Sequence, residues 1–252
     1  MSSSKQVMQK IDTGLNPLPL IGSLLLFGIP ALYFIAVTKY IIPVFRDSGI
    51  HPALSWFLGG LLVFIPLFSL ALILAKSEGV RLGRNELAKR FRLMKPGKKD
   101  IQWVSVSLLL IFGLSGLIMY VSQLITTALG LPPMELAPEF TKFEPLSGSQ
   151  LFLLLAWLAM FFFNIMGEEL LWRGYILPRQ ELQHGPYAWC INSAFWMIFH
   201  ACFGIDLMII LLPVIIILPY AVQRTGNTTN GILIHAIYNG PMFILVAIGV
   251  IK

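Results

Sequence analysis

Three short segments in the second half of the sequence carry side chains able to move protons: Gly167-Glu168-Glu169-Leu170-Leu171-Trp172-Arg173-Gly174-Tyr175, Trp196-Met197-Ile198-Phe199-His200, and His235-Ala236-Ile237-Tyr238-Asn239. On a helix, Glu169 and Arg173 are four apart and share a face in the favourable order for an ion pair. Glu168 is turned away from them by about 100°. One carboxylate can thus be held by the arginine while the other stays available as a general base. His235 and Asn239 are also four apart and can point into one cavity, where His200 from a neighbouring element could meet them. Base, acid and hydrogen-bond donors together are the ingredients of hydrolysis by an activated water. Each residue also has a plainer use, Glu169 and Arg173 as a structural pair and the histidines as bonds between packed helices. Three such sets on successive apolar elements favour chemistry over packing.

The elements that must position these groups are apolar throughout. Of 252 residues, 57% are hydrophobic and 12% charged, with a mean hydropathy of +0.79, whereas soluble domains carry about 25% charged residues. A soluble domain is excluded. A bilayer core needs about 20 residues of helix, and apolar windows suggest about seven spans, at roughly 17–39, 53–75, 101–128, 150–172, 187–204, 206–222 and 231–251. In lipid every backbone amide must find its partner within its own segment, so the spans are helices. The expected architecture is an all-α, polytopic transmembrane helix bundle. Residues 1–100 form N-terminal spans with a basic loop, and residues 101–252 form the bundle that carries the motifs. A charge near mid-bilayer costs from about 2.5 kcal/mol upward, which makes Glu168, Glu169 and Arg173 functional candidates. The first three spans offer nothing comparable.

Charge sets the expected orientation. The net charge is +6, and residues 76–100 hold nine Lys and Arg against three Asp and Glu, which is the whole excess. The positive-inside rule places this loop, and with it the N-terminus, on the cytoplasmic side. The short loops and the lack of an organelle signal point to a bacterial cytoplasmic membrane. The first apolar run is too long for a cleaved signal peptide and reads as a retained anchor. Within the basic loop, Val80, Leu87, Phe91 and Met94 recur at helical spacing, as in an amphipathic helix lying among lipid headgroups. Cys190 and Cys202 read as two buried thiols rather than a disulfide. Residues 173–186 and 223–230 read as cytoplasmic loops. On these limits His200 lies about 13 residues, or roughly 20 Å, from the inner end of its span. Either residues 173–186 dip inward or the limits are wrong.

In order and spacing, Glu-Glu-x-x-x-Arg, aromatic-x-x-x-His and His-x-x-x-Asn on successive late helices resemble the CPBP family of intramembrane proteases, which includes the CAAX prenyl endopeptidases and bacteriocin-immunity relatives. The resemblance covers about residues 150–245. Trp196 departs from it, standing where the second motif usually has Phe. The resemblance implies water activated by Glu168 with His200, an oxyanion received by His235 and Asn239, and Glu169 with Arg173 as the supporting pair. It implies a peptide or prenylated-protein substrate and contact with membrane lipid; nothing points to nucleic acid. Glu168, His200 and His235 could alternatively bind Zn²⁺ and leave a fourth position open, although the His-Glu-x-x-His zinc motif is absent. A metal-free glutamate mechanism explains the same residues.

Three rivals use the same sequence. Gly113-Leu114-Ser115-Gly116 matches a rhomboid-type serine motif, with His235 as base, but leaves Glu168 and Glu169 without a role. A proton-coupled transporter would use the Glu and His residues as a relay, yet the chain lacks the repeated halves usual in such proteins. A non-catalytic scaffold or immunity protein of the same fold would bind a partner without turnover.

Overall fold

A computed structural model describes residues 14–249. Among the described residues every regular element is helical. Six helical runs are long and apolar enough to cross a membrane: Leu20–Asp47, Pro52–Ser77, Lys98–Leu129, Gly148–Phe203, Ile205–Thr225 and Thr228–Ala247. Seven expected segments become six because 150–172 and 187–204 belong to one helical run. In it, α5 (Leu153–Glu168) passes into a π-helical stretch, Glu169–Ile176, then α6 (Leu177–His184) and α7 (Ala188–Phe199). The other helices are α1 (Leu20–Asp47), α2 (Pro52–Ser77), α3 (Arg84–Arg90), α4 (Lys98–Leu129), α8 (Ile205–Thr225) and α9 (Thr228–Ala247).

Residues 173–186 are therefore not a loop. Gly167 through Gln180 are buried without a break, so this segment enters the protein interior. That removes the conflict over His200, which lies just past α7, in the turn His200–Phe203, beside the residues it was expected to meet.

Packing fixes where the π-helical stretch lies. The most extensive pairing is α2 with α5. It needs Gly167, because a Cβ there would lie 2.9 Å from the Phe64 carbonyl oxygen. Phe27 of α1 stacks on Trp172 with ring centroids 4.2 Å apart, and Trp157 of α5 stacks on Phe243 of α9 at 4.8 Å. Such pairs add about 1 kcal/mol beyond the area they bury. The outward face of α4 exposes Leu109, Leu117 and Leu124, as a lipid-facing helix does. Both cysteines are free thiols, but Cys190 is exposed rather than buried.

The basic loop differs most from expectation. Its helix is one short segment, α3, and Phe91 is buried against Gly174 instead of lying among headgroups. Arg90 donates from Nε to Glu78 at 2.8 Å and from Nη1 to the Gly174 carbonyl at 3.2 Å. Arg179 pairs with Glu78 and donates to the Tyr175 carbonyl at 3.0 Å. Arg92, whose φ of 53° is left-handed, pairs with Glu181 at 2.8 Å, and its carbonyl accepts from the Thr228 amide. Asn227 caps α9 by accepting from the Thr229 amide at 3.0 Å and also accepts from the Met94 amide at 3.2 Å. The loop thus staples the π-helical stretch and α6 to the start of α9.

Glu78 is the hub of this staple. Burial pushes its carboxyl up, but hydrogen bonds from Arg90 and Tyr175 and the charges of Arg90 and Arg179 outweigh burial and hold it below its ordinary value of 4.5. A depressed carboxylate stabilises the fold fully above its unfolded pKa, and that stabilisation is lost as pH falls through the folded value. The difference in unfolding midpoint between wild type and Glu78→Gln should therefore be constant above about pH 5 and shrink at lower pH. A difference that stays level down to about pH 3 would show that the charge of Glu78 contributes nothing.

Candidate active site

The change from α- to π-helix falls between the two adjacent glutamates, and insertions of this kind recur at functional sites. It gives the carboxylates separate surroundings. Glu168, 1% exposed, accepts from Asn164 Nδ2 through Oε1 and from Trp196 Nε1 through Oε2, both at 2.6 Å. Glu169 is fully buried, and its Oε1 is shared by His235 Nδ1 at 2.9 Å and Arg173 Nη1 at 3.2 Å. Its Oε2 has no hydrogen-bond partner and faces Gly231 so closely that any Cβ there would collide.

Trp196 joins the two halves. The Arg173 guanidinium lies over its ring at 3.6 Å while its indole N–H reaches Glu168. The rings of His200 and His235 stand edge to face with it at 5.3 and 5.5 Å. The guanidinium nitrogens make no hydrogen bond among the described residues. Arg173 is thus held by one ion pair and one aromatic face, an arrangement guanidinium suits better than ammonium because it stacks and is weakly hydrated.

The partners set the histidine tautomers. His200 Nδ1 faces the Trp196 carbonyl at 2.9 Å, and a carbonyl only accepts, so Nδ1 carries the proton and Nε2 is left to accept. His235 likewise donates from Nδ1 to the Glu169 carboxylate, so its Nε2 donates only in the doubly protonated form. Asn239 lies one turn beyond His235 on α9, half-buried. Its amide makes no hydrogen bond among the described residues and is open to a ligand.

The structure therefore gathers Glu168, Trp196, His200, Glu169, Arg173 and His235 into one cluster, whereas Asn239 is placed only by its position one turn along α9 from His235. Two pairings could not be read from the sequence. His235 bonds to Glu169 rather than facing Glu168, and Asn164 bonds to Glu168. The signal for Asn164 was an amide four residues ahead of Glu168 in an apolar run. Ser115 donates to the Ile210 carbonyl at 3.0 Å and makes no hydrogen bond to His235, so its hydroxyl serves helix packing. No three His, Cys, Asp or Glu side chains among the described residues are grouped to share a metal ion. Each Glu168 oxygen keeps a lone pair beyond its N–H donor, and the Nδ1 bonds of His200 and His235 leave both Nε2 atoms as acceptors when neutral, so these hydrogen bonds decide neither for nor against the expected Glu168, His200 and His235 zinc set.

A polytopic helical membrane protein with two buried glutamates and two histidines in its core is the class this geometry defines. Residues 150–240 match the family model described as type II CAAX prenyl endopeptidase Rce1-like. The matched segment spans all three motifs and supports the CPBP and CAAX protease family, a family of membrane proteases. No curated protein and no solved structure matches the chain. The apolar helices and the family together support an integral membrane protein.

The two contacts of Trp196 are separable by mutation. Trp196→Phe keeps a ring under Arg173 and removes the donor to Glu168, a hydrogen bond to a charged group worth about 1.5–3 kcal/mol. Trp196→Ala also removes the platform and should lose about 3–5 kcal/mol. Unfolding in detergent micelles measures both, and equal losses would contradict the separation.

Proposed function

We propose that the protein is an intramembrane endopeptidase that hydrolyses a peptide bond of a prenylated or membrane-anchored substrate, with water activated by Glu168. The observation that carries this reading is the division of labour between adjacent carboxylates. Glu169 is committed to Arg173 and His235, whereas Glu168 is held, among the described residues, by the neutral donors Asn164 and Trp196.

In the proposed cycle Glu168 takes a proton from water, and the hydroxide adds to the scissile carbonyl carbon. His200, with Nε2 as acceptor, orients the water. Asn239 Nδ2 and protonated His235 Nε2 receive the oxyanion, each worth about 3 kcal/mol when well placed. As the carbonyl re-forms, the C–N bond breaks and Glu168 returns its proton to the leaving amine.

Glu169, 2.9 Å from Nδ1, fixes the ring of His235 and leaves its Nε2 as the nitrogen turned away from that carboxylate. No step is assigned to a metal ion. His200 and Asn239, the half-buried members, form the edge by which a peptide reaches Glu168.

The test is cleavage of a prenylated peptide by purified protein in bilayer discs. Glu168→Gln should lower kcat by about 10²–10⁴, and a chelator should leave wild-type activity unchanged. Retained cleavage in Glu168→Gln would remove the base assignment. Loss of activity to a chelator would point to zinc, and a wild type that cleaves nothing in a broad peptide set would favour the scaffold reading.

A further inference from the structure

Catalysis as proposed leaves the basic segment between α2 and α4 unused. Its cations are of two kinds. Arg90 and Arg92 are pinned to Glu78 and Glu181, whereas Arg81 and Lys89 are exposed and make no ion pair among the described residues. All four line one cleft of about 320 Å³, within the size range of ligand pockets. Glu86 is the carboxylate in that wall, and Leu15 and Val80 make its apolar side. Arg90, whose side chain is 8% exposed, keeps a buried Nη2 with no hydrogen-bond partner.

We propose that this cleft binds the phosphate of an anionic phospholipid. Among the described residues, with Arg179, Glu78 and Glu181 behind the wall, five cations stand against three carboxylates, an excess suited to one phosphate rather than a polyanion. The exposed groups of Arg81 and Lys89 supply donors for its oxygens, with the buried Arg90 guanidinium adding charge behind them, and Arg is the residue best shaped for phosphate. Position favours a lipid over a free ion. The cleft lies just past the end of α2 at Ser77, with Leu15 just ahead of α1. Two membrane-crossing helices thus have their ends beside it, where clusters of basic residues meet anionic headgroups.

A phosphate held by Arg81 and Lys89 leaves Arg90 Nε on Glu78 and Nη1 on the Gly174 carbonyl undisturbed. Gly174 follows Arg173, so the bound lipid would add to the staple that holds the π-helical stretch. Lipid binding is independent of whether the protein is a protease.

The experiment uses the full chain in phosphatidylcholine discs with and without phosphatidylglycerol, reading the unfolding midpoint and the lipid retained on transfer to detergent. Wild type should retain phosphatidylglycerol selectively and unfold at a higher temperature with it. Arg81→Gln/Lys89→Gln, which breaks no ion pair, should bind about 30-fold more weakly, at about 1 kcal/mol per cation. Lys98→Gln/Lys99→Gln, outside the cleft, should bind as wild type does. Absence of selective retention, equal binding by the cleft variant, or an equal loss in the Lys98 and Lys99 pair would overturn the proposal. An equal midpoint shift with inorganic phosphate in phosphatidylcholine discs would assign the cleft to a free anion and overturn the lipid assignment.

Discussion

Two carboxylates, a guanidinium and an imidazole are packed together in the protein interior, almost out of contact with bulk solvent. Glu169 and Arg173 are fully buried, and Glu168 and His235 nearly so. Ions taken out of water lose several kcal/mol of hydration each, which is recovered only where partners are close and well placed. Glu169 meets this condition with Arg173 and His235 on one oxygen, and Arg173 with an ion pair below and an aromatic face above. Gly231 leaves room for the second oxygen of Glu169. The remainder of the fold serves to keep these few atoms in register.

The helices do so by clamping the π-helical stretch on several sides. Gly167 lets α2 approach backbone to backbone just before it, Phe27 stacks on Trp172 within it, and Arg90 and Phe91 of the basic loop close on Gly174 near its end. Interiors packed in this way transmit displacement, so the loop, although remote from Glu168 in sequence, belongs to the same mechanical unit. This gives the positive charge of residues 76–100 a second use. Beyond its expected role in orientation, it supplies the arginines that satisfy Glu78, Glu181 and the carbonyl of Gly174.

What the sequence made legible follows the range of each interaction. Apolar windows located the spans because hydropathy is local, and Glu169 with Arg173 could be paired because four residues on a helix is a fixed distance. The joining of 150–172 to 187–204 was hidden, since Arg179, Gln180 and Glu181 look like loop residues until their partners Glu78, Ser23, Asn192 and Arg92 are known. The bond from His235 to Glu169 spans 66 residues and depends on how α9 packs against the π-helical stretch. Trp196 stands in the sequence only as a departure from the Phe usual at that motif position, yet its indole N–H and its face act on residues of another helix.

The central claim is that Glu169 and Arg173 are retained as a mutually dependent buried pair. A double-mutant cycle in detergent micelles tests it, comparing unfolding free energies of Glu169→Gln, Arg173→Met and the combination. Removing one partner leaves an uncompensated buried charge, and each single variant should lose about 3–5 kcal/mol. The double variant should fall short of the summed losses by about 2 kcal/mol or more, beyond the additivity expected of independent sites. Additive losses, or a double variant less stable than the sum, would contradict the account.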